Sequence, residues 1–435
     1  MTRDSTGERD VSNGDERSAR AVILSVVVST FFIGFGGGVV FPIFPTLGQV
    51  LGISPLLVGI ILSANRFTRL VANAPAGSLV DRLGARRPFV VGLAIQAVAT
   101  VGYVIAVRAP LPEAWFLGAR LFHGAGSALV FATSYTIAAN VSLSESRGTS
   151  MGLIRGGSIL GFPTGLLLGG VVSELSGSTT AFVLATGFSV VATVLAYATV
   201  PETHVTGESR SSVKPWDIDT SIPTLTLGLV NFATWFAYMG VLFASLVLFL
   251  QARGISALGF DAQGSSGIFM AVTVLSAATF MYVGGRLSDF GDSRVPTMLG
   301  FLALLAGGFF LLPRATSAPT LVPACLMMGA GMGGTLGPLM ALLADLTAED
   351  RMGRASGTTN VFSDIGGGLG PIVSLPLIDA YGFLPVYTVS AAFPLLAGVI
   401  LVAGLYTVTG RLFPATTAAV GESGSGDSGA TEGLD

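Results

Sequence analysis

The sequence predicts an all-α membrane protein of twelve transmembrane helices, folded as two pseudo-symmetric six-helix bundles. Three observations predict it. First, 51% of the 435 residues are hydrophobic and only 11% charged, less than half the charged share of an ordinary soluble domain. Second, the apolar residues fall into twelve runs, each long enough to cross a hydrocarbon core of about 30 Å as a helix of about 20 residues. Third, short motifs of the first half return in the second at a nearly constant spacing. The mean hydropathy of +0.75 agrees.

The same composition excludes other classes. The 59 glycines show no three-residue period, so the chain is not collagen-like. One cysteine, Cys325, cannot form an intramolecular disulfide, and with only His123 and His204 no Cys/His metal site is expected. A net charge of −3 without a basic run excludes nucleic acid as a partner. No G-x-x-x-x-G-K-[ST] loop is present, so ATP is not the evident energy source. Nothing indicates an enzyme. The expected partners are the lipid bilayer and a small molecule; no cofactor is expected.

Residues 1–20 are polar and charged and read as a disordered cytoplasmic tail. The first apolar run, 21–47, is long enough to span and should stay uncleaved, unlike the short apolar core of a signal peptide. The further runs are 54–80, 88–108, 113–140, 150–173, 180–200, 222–251, 264–286, 295–313, 318–345, 354–378 and 382–408. They lack the alternation of barrel strands. Residues 201–221 form the longest polar stretch between spans, a cytoplasmic linker dividing a bundle at 21–200 from one at 222–408. Residues 409–435 are Gly/Ser-rich and acidic, a second disordered cytoplasmic tail. With the N-terminus inside, 15 of the 22 basic residues fall in inner segments, three (Arg108, Arg253 and Arg314) in outer loops and four in spans. That excess sets both termini in the cytoplasm; the cell membrane is the expected location.

Gly77-x-x-x-Asp81 recurs as Gly285-x-x-x-Asp289, Gly157-x-x-x-Gly161 as Gly366-x-x-x-Gly370, Pro163 as Pro371, and Gly148-x-x-x-Gly152 as Gly353-x-x-x-Gly357. Two related halves around a midplane site are the plan of many secondary transporters. The segment Gly77-Ser-Leu-Val-Asp81-Arg82-Leu-Gly84-Ala-Arg86-Arg87, between runs 2 and 3, resembles the loop signature of the major facilitator superfamily. Its weaker copy, Gly285-Arg-Leu-Ser-Asp289, lies between runs 8 and 9. Arg120-Leu-Phe-His123-Gly124-Ala-Gly126 resembles the family's second motif, with His123 where glutamine is usual. Gly157-x-x-x-Gly161-Phe-Pro163-x-Gly165 resembles the glycine–proline motif of the antiporter branches, with Phe162 inserted. The resemblance covers all twelve spans and is closest to the drug:proton antiporter efflux branches. It implies the family fold, alternating access, a monomer and a proton gradient as energy source.

Gly77 and Asp81 share a face at the inner end of helix 2. The glycine would admit a neighbouring helix, and the carboxylate would meet a positive helix N-terminus. The resemblance makes that partner helix 11, near Gly353–Gly357, and by symmetry brings Asp289 to the start of helix 5, near Gly148–Gly152. Gly77, Asp81, Arg82, Gly285 and Asp289 are therefore the candidate conformational latch. The alternative is a solvated loop acid, with Arg82, Arg86 and Arg87 anchoring the topology.

Arg66, Arg69, Arg120, His123, Arg155 and Asp364 are ionisable groups inside spans, where charge is costly and faces a cavity or a partner. They form either a proton-coupling or anion-attracting site, or a structural ion-pair network. Phe35, Phe41, Tyr135, Asn231, Trp235, Tyr238 and Asn360 could line the substrate cavity, or simply pack. Pro42 and Pro45 should end helix 1. Gly157, Gly161, Pro163, Gly165, Gly370 and Pro371 are read as helix-packing positions. The leading expectation is proton-coupled efflux of small lipophilic or drug-like compounds. Rivals are transport of an organic anion, drawn by the four arginines within spans, and a non-transporting membrane receptor or scaffold.

Overall fold

The computed structural model describes residues 5–141, 147–202 and 218–414, of which residues 5–19, 81, 135, 138–141 and 147–150 are described by their backbone only. It is helical throughout: α1 (Ser5–Val50), α2 (Pro55–Leu83), α3 (Arg86–Ala106), α4 (Pro112–Val141), α5 (Arg147–Ser176), α6 (Ser178–Thr199), α7 (Ile222–Trp235), α8 (Phe243–Arg253), α9 (Ala262–Asp289), α10 (Val295–Leu311), α11 (Ala318–Asp345), α12 (Met352–Tyr381), α13 (Phe383–Ser390) and α14 (Ala392–Thr409). A π-helical segment, Phe236–Leu242, joins α7 to α8, and α13 runs into α14 at Ala391. Counted as continuous rods, these make twelve. Eleven are apolar and long enough to cross a bilayer; α4 is the twelfth, its apolar run interrupted by Arg120 and His123.

Two elements depart from the expectations. The backbone is helical from Ser5, so α1 takes in most of the segment read as a disordered tail. The linker's central residues 203–217 and the tail's residues 415–435 lie outside the described residues. Pro42 and Pro45 do not end the first helix, which runs through both to Val50. In a bilayer no water competes for the carbonyls that a proline frees, and neighbouring groups take them up. Past both prolines the Thr46 hydroxyl donates to the Ile43 carbonyl at 2.9 Å, within the same turn of the continuing helix.

The repeat seen in the sequence is structural. α5 passes into α6 through the single residue Gly177, and α12 into α13 through the single residue Gly382. Both glycines adopt a positive φ, 86° and 80°, a conformation open to glycine at little cost. Each half thus turns between its fifth and sixth rods in the same way.

The chain forms two compact units. The first comprises Met1–Pro215, Phe243–Ala271 and Pro371–Pro376; the second Trp216–Leu242, Val272–Gly370 and Leu377–Asp435. Two pieces of the second sequence half therefore pack with the first. The first core gathers Val26, Ile33, Phe89, Leu93, Val130 and Ala192. The second gathers Leu227, Val230, Met298, Leu302, Leu342 and Leu401. Large apolar side chains such as Val98, Val194, Leu396 and Val399 lie on the outer faces, as a lipid solvent allows.

Packing in each unit is led by glycine. On α5, a Cβ at Gly157 would stand 2.5 Å from the Val27 carbonyl oxygen, and at Gly161, Gly165 and Gly169 it would strike the backbone of Phe31, Phe35 and Val39. The α1 glycines answer: a Cβ at Gly34 would lie 2.5 Å from the Ser158 oxygen, and one at Gly38 would strike Phe162. The two helices touch backbone to backbone along a ridge of every fourth residue. Pro163 sits inside α5 among these contacts. In the second unit, Gly366 of α12 meets the backbone of Phe232 on α7, and Gly370 meets Gly240 in the π segment. The carbonyl of Pro371 leaves no room for a Cβ at Gly59, 2.5 Å away, inside the first unit.

Candidate functional site

The expected latch residues lie at the ends of α2 and α9. The Asp81 side chain lies outside the described residues, and Arg82 is exposed. A Cβ at Gly77, Gly285, Gly353 or Gly357 would meet nothing within 4 Å, although one at Gly337 of α11 would lie 3.4 Å from the Gly285 Cα, so α9 and α11 come close there. Asp289 pairs with Arg294, whose Nε also binds Asp345 Oδ2 at 2.7 Å. The Arg294 guanidinium precedes the first turn of α10, an unfavourable place for a cation. Burial pulls its pKa down, but the hydrogen bonds and charges of Asp345 and Asp289 outweigh this and hold it above the ordinary arginine value. Arg294 is therefore permanently charged and ties α9, α10 and α11 together.

Two further charge sites flank the membrane. Arg86 donates to the Tyr197 carbonyl at 2.9 Å near the end of α6, lies over the Tyr197 ring, and with Arg87 reaches Glu202. Arg86 thus holds the C-terminal end of α6, a favourable place for a cation. Asp219, at the described end of the linker, accepts a hydrogen bond from the Ser221 N–H at 2.9 Å, while its own N–H donates to Thr358 Oγ1 on α12. Partial burial pushes the Asp219 carboxyl up; the Ser221 bonds and the charges of Arg351 and Arg354 pull harder, leaving its pKa lowered.

Within the first unit, the candidate groups of α2 and α4 come together. Arg120 is buried, and its Nε and a terminal nitrogen donate to the Ile61 and Leu62 carbonyls of α2 at 3.2 and 2.6 Å. Its hydrogen bonds run to backbone carbonyls. His123, one turn on and 1% exposed, lies within 6.4 Å of the Tyr103 ring, and its Nδ1 has no hydrogen-bond partner among the described residues. The charges of Arg120 and Arg69 both act on it. Beside it the Gln96 amide donates to Ser127 Oγ at 3.1 Å, which in turn donates to the His123 carbonyl. Arg66 and Arg69 are half-buried, and Arg155 is exposed on α5. Gln96, Tyr103 and Ser127 were not among the sequence candidates. They stand in unremarkable apolar runs and become recognisable only when α3 packs on α4.

In the second unit, Asp364 is buried in the middle of α12, 5% exposed, whereas Asn360, one turn earlier, is exposed. The Asn231 amide donates to the Thr359 carbonyl at 3.0 Å, and its buried Oδ1 has no hydrogen-bond partner among the described residues. Trp235 is half-buried and Tyr238 buried in the π segment.

The expected aromatic lining is largely packing. The Phe35 ring is fully buried edge-on against Phe188, and Phe41 sits edge-on to Phe162 and Phe243. Both are interior residues of the first unit. The glycine ridge of α5 puts them there by drawing α1 close. Tyr135 lies among the side chains that are not described. A groove of about 490 Å³ between α10 and α14, lined by Leu299, Leu302, Gly398, Val402 and Tyr406 among others, contains none of the candidates.

The comparisons agree with this all-helical architecture and its motifs. A family profile described as Major Facilitator Superfamily matches residues 26–371. The multi-drug resistance efflux pump PmrA of Streptococcus pneumoniae is 24% identical over 378 residues, 82% of this chain and 89% of its own length. Multidrug resistance protein 1 of Bacillus subtilis is 25% identical over 84% of this chain and 92% of its own. Quinolone resistance protein NorA of Staphylococcus aureus is 22% identical, with 87% and 95% covered. Among solved structures, a bacterial homologue of the human lysosomal transporter Spinster, in an inward-facing and occupied conformation, superposes with a TM-score of 0.72 at 15% identity. It covers 90% of this chain and 97% of that one. The nucleoside transporter NupG gives 0.72 at 17% identity, with 88% and 99% covered. The chain is a multi-pass membrane transporter, not an enzyme, and it belongs to the Major Facilitator Superfamily.

Proposed function

We propose that this transporter exports small lipophilic compounds in exchange for protons, by alternating access, with both termini in the cytoplasm of a bacterial-type plasma membrane. The observation that carries the reading is Asp364. A carboxyl buried at 5% exposure in the middle of an apolar span is expensive to keep and is, by default, functional. Acids within spans recur as the proton relays of pumps and transporters. The Arg120–His123–Gln96–Ser127 cluster supplies a second set of buried polar groups inside a span bundle. The names of PmrA, of multidrug resistance protein 1 and of NorA point to drug efflux for those proteins, and each is similar over more than four fifths of this chain.

Organic-anion transport rests on the arginines within spans, of which Arg120 commits two of its five donors to α2 carbonyls. The test is proteoliposomes carrying an internal pH dye, given lipophilic cations, neutral drugs and organic anions in turn. Proton movement with cations or neutral compounds, abolished in Asp364→Asn, is the expected result. Anion flux that needs Arg66 and ignores Asp364 replaces this reading with the anion transporter.

A further inference from the structure

The first unit contains a polar clasp that no motif in the sequence announces. The α9 helix begins at Ala262, and its free backbone donors face the end of α5. Glu174 there spreads its carboxylate over two of them. Oε1 accepts from the Asp261 N–H at 2.7 Å and Oε2 from the Gly264 N–H at 2.8 Å. Gln263, between those two, spends both ends of its amide on other helices. Nε2 donates to Thr46 Oγ1 of α1 at 2.7 Å, and Oε1 accepts from Ser173 Oγ of α5 at 3.0 Å. One turn along, the backbones close. A Cβ at Gly170 would lie 2.5 Å from the Gln263 carbonyl and 3.2 Å from the Gly267 Cα.

A carboxylate at a helix N-terminus satisfies orphan donors and the helix dipole together. Glu174 is only partly buried, so when the contact parts, water takes over both the carboxylate and the two N–H groups with little desolvation to recover. The adjoining glycine contact has no interlocking side chains to withdraw. These features suit a joint that opens and recloses, in contrast to the glycine ridge between α1 and α5, which is long and dry.

We propose that Glu174 and Gln263 are the clasp of the extracellular gate. They hold the start of α9 against the ends of α1 and α5 while substrate is taken from the other side, and they release it in each export step. They are positioning residues, acting on the gate and not on the substrate. The proposal rests on the alternating-access reading above.

The experiment measures the gate without transport. Cys325, the sole cysteine, is buried and is replaced by alanine. Spin labels are placed at Ser176 and Leu258, both exposed and both in the first unit, and their distance distribution is recorded by pulsed electron resonance in nanodiscs. In Glu174→Ala and in Gln263→Leu the long-distance population should grow. The open-to-closed ratio should shift by about tenfold, the effect of losing one helix cap. Glu174→Gln, which keeps one acceptor, should lie between. Glu113→Gln, a second acid in the first turn of a span, should match the parent. Size-exclusion profiles identify any variant that misfolds, and Glu174→Gln then carries the test. Unchanged distributions in both clasp variants overturn the proposal. If the labels respond but the parent moves no substrate and no protons, the clasp stands as a joint and the transport reading is what fails.

Discussion

Asp289 shows how a residue can be found in sequence while a partner it has in the structure goes unnoticed. Its spacing from Gly285 marked it, but the partner at hand is Arg294, five residues on, backed by Asp345. Spacing reveals a carboxylate at a helix end; it does not reveal which of several nearby cations folds back onto it. The Arg294 site gives the first prediction. Asp345→Ala strips a largely buried guanidinium of one charged partner and should cost roughly 1–3 kcal/mol. Asp289→Ala, at an acid whose side chain is 64% exposed, should cost under about 1 kcal/mol. Thermal unfolding of the purified protein in detergent compares them, and equal losses would contradict the assignment of Asp345 as the main partner. Asp219 gives the second. Its folded pKa is lowered, so its contribution is fully present above the unfolded value of about 3.9 and is lost as pH falls through the lower folded value. The stability gap between the parent and Asp219→Asn should be constant from pH 7 to 5 and shrink below about pH 4. A gap that widens on acidification would reverse the sign. Nothing in the sequence singled Asp219 out, because its partners Ser221 and Thr358 are common residues, one of them in a distant helix.

At the scale of elements, the helices were legible and their contacts were half legible. Gly157, Gly161 and Gly165 repeat every fourth residue, and helical geometry alone puts them on one face. Which helix that face meets is a tertiary fact, supplied here by α1 through Phe31 and Phe35. Gly77 and Gly285 carry the same chemical signal, yet a Cβ at either would meet nothing within 4 Å. A glycine shows that close approach is allowed, not that it occurs in a given conformation. The third prediction uses this contrast. Gly161→Leu would drive four carbons into the Phe31 backbone and should cost on the order of 3 kcal/mol or prevent folding. Gly285→Ala meets nothing and removes a helix-weakening residue, so its melting temperature should hold or rise. If the face of Gly285 closes against another helix elsewhere in the transport cycle, Gly285→Ala will at the same time slow turnover. Normal turnover with a raised melting temperature would remove Gly285 from any latch. The prolines of α1 teach the complementary lesson. Soluble-protein habit stops a helix at Pro42, whereas the bilayer's lack of competing water lets α1 continue to Val50.

For the whole molecule, hydropathy and the internal repeat conveyed the twelve rods and their two-fold plan, because the bilayer constrains length and composition so strongly. They could not convey how compactness divides the chain. Residues 243–271 and 371–376 join the first unit through contacts such as Phe243 on Phe41 and Gly170 on Gly267, and no local pattern encodes these. Orientation is a different matter, since it is set by charge on the whole chain. Short segments on one side of the expected membrane hold 15 basic residues and those on the other hold three, the bias on which the proposed cytoplasmic orientation of the basic side rests. The last prediction follows from that count. A fluorescent reporter that folds only in the cytoplasm, fused after residue 414, should light up. A phosphatase active only outside, fused into the exposed turn at Leu258 just before α9, should be active. Moving the phosphatase to the α2–α3 turn at Gly84, which is flanked by Arg82, Arg86 and Arg87, should silence it. The reverse pattern would invert the molecule. The clasp of Glu174 and Gln263 would then face the cytoplasm, and with the same coupling the direction of transport assigned to each gate would have to be exchanged.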